Sequence, residues 1–159
     1  MSRIGVGYDS HRFETGRPLI LGGVTIPADR GLAGHSDADA VAHALTDAIL
    51  GAAAAGDIGR LFPDSDPQWR GADSLRLLQA AHEVVRAKGW HFVQGDVTII
   101  CEHPKLAVHL LAMATHLAGV LGVSSDAIGL KAKTNEGMGW VGRGEGIAVM
   151  AVATVEAVR

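Results

Sequence analysis

Apolar and polar residues alternate from Arg3 to Phe13, the period of a strand that turns one face to a core. Leu19 to Leu21 and Val24 to Ile26 flank Gly22-Gly23, which reads as a short hairpin. From Asp37 to about Ala55 the pattern becomes helical, with Ser36 and Asp39 in capping-box spacing and His43 about two turns in. A Gly-, Pro- and Asp-rich loop follows. A second helix runs from Asp73-Ser74 to Gly89 with Leu75, Leu78, Ala81 and Val85 on its apolar side. Val93 to Glu102 reads as a strand, and Pro104 opens a third helix that Gly122 closes. Ile128 to Thr134 and Ile147 to Val158 read as the last strands. This order predicts an α+β fold, a two-layer sandwich with helices on one face of a four- to five-stranded mixed sheet. The run from Ile147 to Val155 is apolar at both parities, so both faces of that strand need cover, the second from another subunit.

Length adds that the 159 residues form one domain, with 48% hydrophobic and 19% charged residues to build its core. A net charge of -3, a pI near 6.2 and no Lys/Arg run exclude a nucleic-acid footprint and point to small-molecule partners. The one cysteine, Cys101, makes no intrachain disulfide, and Met-Ser-Arg-Ile-Gly lacks the apolar core of a signal peptide, so a cytoplasmic setting is expected. The apolar stretch Leu106 to Val123 carries His109, Thr115 and His116, which favours a buried or interface helix over a membrane span. Of the 8 histidines, His82, His91, His109 and His116 need no special role.

Chemistry concentrates elsewhere. Asp9 and His11, at i and i+2, project from one face of the first strand, and His43 adds a second imidazole from the following helix. One carboxylate and two imidazoles leave a corner of a tetrahedron open for substrate, the signature of a catalytic zinc site. Asp39, one turn before His43, is placed to orient its ring. Gly137-Met-Gly139-Trp-Val-Gly142 spells a dinucleotide fingerprint, but a strand-like run follows it and only residues 143 to 159 remain, so it is no Rossmann site. Its glycines, with Gly144 and Gly146, serve either a tight loop in which Arg143 and backbone amides approach a phosphate or a long turn between two strands. The segment Asp57 to Asp66 is either a polyol-binding loop or a solvated connector. Lys131 to Glu136 is either a solvated strand end or a diphosphate site in which Glu136 holds a second divalent ion.

Several motifs in order complete the picture: Gly7-Tyr8-Asp9-Ser10-His11, His35-Ser36-Asp37-Ala38-Asp39, Ala44-Leu45-Thr46-Asp47-Ala48, Gly56-Asp57-Ile58-Gly59, Phe62-Pro63-Asp64, Pro104-Lys105 and Gly142-Arg143-Gly144-Glu145-Gly146. Over essentially its whole length the chain resembles the 2-C-methyl-D-erythritol 2,4-cyclodiphosphate synthase family of the non-mevalonate isoprenoid pathway. The resemblance implies a homotrimer whose sheets meet at its centre and whose active sites lie between subunits. It implies Zn2+ on Asp9, His11 and His43, and Mg2+ or Mn2+ near Glu136 between the phosphates.

The implied reaction is a phosphorus–oxygen lyase step. The 2-phosphate of 4-diphosphocytidyl-2-C-methyl-D-erythritol 2-phosphate attacks the β-phosphorus, expels CMP and closes an eight-membered ring. By the same resemblance, His35, Ser36, Asp57, Ile58 and Gly59 grip the erythritol end, with the loop Phe62, Pro63, Asp64, Ser65 and Asp66. Asp9 and His11 face the substrate as well. Cytidine and its phosphates meet Cys101, Glu102, His103, Pro104, Lys105, Leu106 and Ala107 of the adjacent subunit, along with Ala132, Lys133, Thr134, Asn135 and Glu136. His35 and Thr134 match the family's transition-state stabilisers. Trp140, Arg143 and Glu145 line, by analogy, an axial cavity that accepts isoprenoid diphosphates. Lys133 and Asn135 stand where relatives often carry threonine, and Cys101-Glu102-His103 is a variable segment. Two rival readings share parts of this pattern: a zinc phosphoesterase in which water attacks, and a non-catalytic trimer that binds isoprenoid diphosphates through Arg143.

Overall fold

The computed structural model describes residues 1–158; Arg159, the last residue of the expected 1–159 domain, lies outside the described residues. The long strand β1 (Ser2–Thr15) carries Gly5, Gly7, Asp9, His11 and Phe13 on its inner parity. Helix α1 (Ala40–Ala52) lies directly across it, burying Ala40, Val41, Ala44, Leu45, Ala48 and Ile49. A Cβ on Gly5 would come within 2.0 Å of the Ala48 carbonyl oxygen, and one on Gly7 within 1.9 Å of that of Ala44. Glycine on the strand and alanine on the helix therefore let two backbones touch. That contact sets the first turn of α1 over the middle of β1, where the chemistry lies.

A five-stranded sheet is built around β1 in the order β4-β1-β7-β5-β6. Its other strands are β4 (Arg30–Leu32), β5 (Trp90–Ile100), β6 (Ile128–Lys133) and β7 (Gly146–Ala157). Only β5 and β6 run parallel; the other pairings are antiparallel. The parallel pair is joined through α4 (Leu110–Leu121), which packs against β6 and against α3 (Ser74–Ala87). With α1, these helices cover one face, giving the α+β two-layer arrangement that the periodicity predicts. The hairpin of β2 (Leu19–Leu21) and β3 (Val24–Ile26) stands apart from the sheet. Among the described residues, no helix is long and apolar enough to cross a membrane.

The other face of the sheet is apolar and bare in a single chain. Ile4, Val6 and Tyr8 are 70%, 64% and 54% exposed, and Met150 and Val152, paired across from Tyr8 and Val6, are 49% and 41% exposed. On β7 the inner residues Ile147, Val149, Ala151, Ala153 and Val155 are all buried. The expected two-sided demand of this strand is thus met on one side only.

Several boundaries differ from the sequence reading. Helix α1 begins at Ala40, because Ala38 has a left-handed φ of 59° and Asp39, not Ser36, is the N-cap that accepts from the Ala42 amide. His43 therefore sits in the first turn, and Ser36 forms no capping box; its hydroxyl accepts from Ala38 instead. Pro104 does not start α4: Cys101 and Leu106 are buried and pin an irregular segment, after which Ala107–His109 makes a 3-10 turn into the helix. Strand β5 starts at Trp90, directly after the left-handed Gly89, rather than at Val93. Two single-turn helices, α2 (Ile58–Leu61) and α5 (Gly139–Gly142), and the short β4 carry too little period to be read from sequence. Between β6 and β7 the expected tight loop or long turn contains the helical turn Gly139–Gly142, with Gly142 packed where a Cβ would lie 2.1 Å from Gly137.

Candidate metal centre and substrate cleft

Asp9, His11 and His43 meet in one half-buried cluster, each offering a ligand atom, with those atoms all within 4.8 Å of one another. His11 Nδ1 donates to the Ala33 carbonyl at 2.7 Å. A carbonyl only accepts, so this contact fixes the tautomer and leaves the Nε2 lone pair directed at Asp9 Oδ2, 2.7 Å away. Two acceptors that close are bridged either by a second proton on the ring or, slightly further apart, by a divalent cation bound to both. His43 Nδ1 lies 3.2 Å from the same oxygen. The donor set of one carboxylate and two imidazoles suits a divalent metal, and its geometry fits one.

The electrostatics agree. Burial would raise the Asp9 pKa, but the two imidazoles beside its carboxylate outweigh that and hold it below the ordinary carboxylate value. Burial would lower that of His11, yet the Asp9 hydrogen bond and charge carry it above the ordinary imidazole value.

The cluster forms the floor of a cleft of about 340 Å³. His35, Ser36, Ile58, Gly59, Phe62 and Asp64 line it, as the sequence reading expects, and Trp69 and Leu77 join them. Asp57 caps α2 by accepting from Arg60, while Asp47 holds the start of that turn through the Ile58 amide at 2.7 Å. His35 Nε2 sits 3.1 Å from the Asp66 carbonyl. Phe62 stacks edge-on against Trp69 at 5.0 Å, so the aromatic pair forms one wall. Pro63, Asp64 and Ser65 are exposed at the rim.

Asp39 does not serve His43. Its buried carboxylate accepts from the amides of Gly22, Gly23 and Ala42 at 2.8, 2.7 and 3.0 Å, stapling the hairpin turn to the start of α1. Burial pushes its pKa up to about 6. The contacts of His43 instead come from Ser74 and Ser36, which the sequence reading left without this role. Ser74 has only weak sequence signal, a serine just inside a helix that Asp73 already caps.

The remaining expected residues gather around a separate cleft of about 350 Å³ at the ends of β5 and β6, lined by Glu102, His103, Lys105, Thr134, Glu136 and Arg143 among others. Glu102 ties this region together by accepting from Asn135 and Gly137. Cys101 and Leu106 are buried and offer a ligand only backbone; burial raises the Cys101 thiol to about 11, so it stays protonated. Pro104 is half-buried, and Ala107, Ala132 and Lys133 are exposed. Trp140 and Glu145 line a third cleft with Ser10, His11, Arg12 and Phe13, where Arg143 is tied to Glu145 at 2.6 Å. Within one chain the two sets, the metal cluster and the β5–β6 cleft, share no lining residue.

The YgbB family model matches residues 2–156. The chain belongs to the YgbB family. Within it, the 2-C-methyl-D-erythritol 2,4-cyclodiphosphate synthase of Gemmatimonas aurantiaca is 53% identical over 156 residues, covering 98% of this chain and 94% of that protein. That of Dechloromonas aromatica is 55% identical, covering 98% of each. Among solved structures, the Plasmodium falciparum IspF CDP complex aligns with a TM-score of 0.86 at 30% identity, covering 99% of this chain and 97% of that one. The bifunctional IspDF of Campylobacter jejuni aligns at 0.95 with 41% identity over 99% of this chain, which spans only 42% of that longer protein. Family membership covers nearly the whole chain, including every segment of both clefts.

Proposed function

We infer that the chain is a 2-C-methyl-D-erythritol 2,4-cyclodiphosphate synthase, acting as one domain on 4-diphosphocytidyl-2-C-methyl-D-erythritol 2-phosphate, with release of CMP. The observation that carries this reading is the Asp9–His11–His43 cluster in a cleft of mixed polar and apolar lining, in a chain of this family. Asp9, His11 and His43 would hold Zn2+, which when bound supplies charge that polarises the β-phosphate. Phosphoryl transfer asks little covalent chemistry of the protein; positioning and charge neutralisation do most of it. His35, Ser36 and the backbone of Ile58 and Gly59 offer donors to the erythritol hydroxyls and the 2-phosphate, folding a flexible chain so that its ends meet. The Phe62–Trp69 wall limits access of water from one side.

Glu136 is exposed on a left-handed turn, φ 52°, at the mouth of the second cleft. Its carboxylate suits Mg2+ or Mn2+ held mainly by substrate phosphates. Thr134 and Lys133 lie beside it for the diphosphate, and Cys101 to Ala107 supply backbone for cytidine. Relatives have been solved with CDP, which supports a cytidine nucleotide as the ligand class.

That the two clefts share no lining residue within one chain supports a complete site formed from two copies, in a homotrimer whose subunits would bury the apolar outer faces of β1 and β7 against each other. An isoprenoid diphosphate is the ligand class for the Trp140 cleft, though its binding to Arg143 requires the pair with Glu145 to open. The cytoplasm is the expected compartment. Incubating the purified protein with its substrate, with and without EDTA, tests the reading: CMP and a cyclic diphosphate form in equal amounts, and only with divalent metal. Metal-independent turnover, or no turnover with Zn2+ and Mg2+ restored, overturns it.

A further inference from the structure

Ser74 is fully buried, yet its hydroxyl is not needed as a helix cap, because Asp73 caps α3 by accepting from the Leu75 amide at 2.9 Å. A buried hydroxyl requires partners. Ser74 has three: Asp37 on one side, in a very short contact, His43 Nε2 on the other at 2.8 Å, and the Ser36 hydroxyl at 3.5 Å. Asp37 also accepts from the Ser74 amide at 3.1 Å and from the Asp39 amide at 3.1 Å, so its carboxylate is anchored from several directions.

We propose that Asp37 and Ser74 form a positioning pair that fixes the tautomer and ring orientation of His43 and so presents its Nδ1 lone pair to the metal. The inference rests on the metal reading above. The logic follows from counting protons. A carboxylate only accepts, so the single hydroxyl proton of Ser74 goes to Asp37. Towards His43 the serine then offers a lone pair, which asks for a proton on Nε2. With Nε2 protonated, Nδ1 carries the free pair, directed at the Asp9 oxygen 3.2 Å away where a metal would sit. His11 is fixed in the opposite sense, through Nδ1 on the Ala33 carbonyl, so the two imidazoles offer different nitrogens to one point. Ser36 Oγ also lies near His43 Nε2, at 3.2 Å. Were its proton the one shared with Nε2, the other tautomer would result and Nδ1 would donate to Asp9. The Asp37–Ser74 pair is what biases the ring against this.

Zn2+ affinity, measured by competition with a chromophoric chelator, should fall by roughly tenfold to a hundredfold in Ser74→Ala, with melting temperature recorded alongside to separate loss of fold. Asp37→Asn should also weaken Zn2+, because its amide can donate to Ser74 and release the hydroxyl proton towards His43. Imidazole nitrogen NMR of the Zn2+-loaded wild type needs no variant: His43 should coordinate through Nδ1 and show a slowly exchanging Nε2–H. In Ser74→Ala that proton should exchange fast. Coordination through Nε2, or Ser74→Ala binding Zn2+ as tightly as wild type, overturns the proposal while leaving the metal reading intact. A wild type that binds no Zn2+ overturns both.

Discussion

His43 contributes a third of the candidate metal cluster from the first turn of α1, so, with zinc as the proposed ion, His43→Ala should remove most bound zinc and at least about a hundredfold of activity while the chain stays folded. Metal analysis with a circular-dichroism melt checks this; a variant that retains full zinc contradicts the ligand assignment. Asp39 has a different office. Truncating it to alanine strips three amides of their acceptor, and the expected loss is about 2–3 kcal/mol in denaturant unfolding, with zinc still bound. The ligand triad was legible in the sequence because a strand period places Asp9 and His11 on one face and the helix pattern delivers His43. The role of Asp39 was misread, since spacing along a helix says which residues are neighbours and not that a distant Gly22-Gly23 turn will take the carboxylate. Ser74 and Asp37 were not assigned to His43 for the same reason: their contact spans 37 residues.

At the scale of elements, the α1–β1 contact is what assembles the site, one partner carrying Asp9 and His11 and the other His43. Gly7→Ala puts a methyl group 1.9 Å from the Ala44 carbonyl, which only backbone movement relieves. Overpacking of this kind typically costs about 1–3 kcal/mol. Zinc affinity should fall with it, because the helix shift moves His43 away from Asp9. Thermal melts and chelator competition on one sample measure both; unchanged zinc affinity would show that the contact does not set the metal geometry. The long elements were readable, β1 and α3 from their period and α4 and β7 from continuous apolar runs. The one-turn α2 and α5 were not, because a single turn is held by Asp57, Asp47 and the Met138 carbonyl rather than by an apolar stripe.

For the whole molecule, the bare outer face of β1 and β7 is the feature that a single chain leaves unresolved. Val6→Glu or Met150→Lys places a charge in that face and should shift sedimentation from trimer to monomer; a stable monomer in the unmodified protein at micromolar concentration would contradict the assembly. The sheet order is not legible in the sequence, since periodicity does not say which strands pair, whereas the apolar outer face of β7 is. Attack by a tethered phosphate rather than water is tested most directly by running the reaction in oxygen-18 water and analysing products by phosphorus NMR and mass spectrometry. CMP and a cyclic diphosphate that carries no label are expected; a labelled open-chain phosphate would contradict attack by the tethered phosphate.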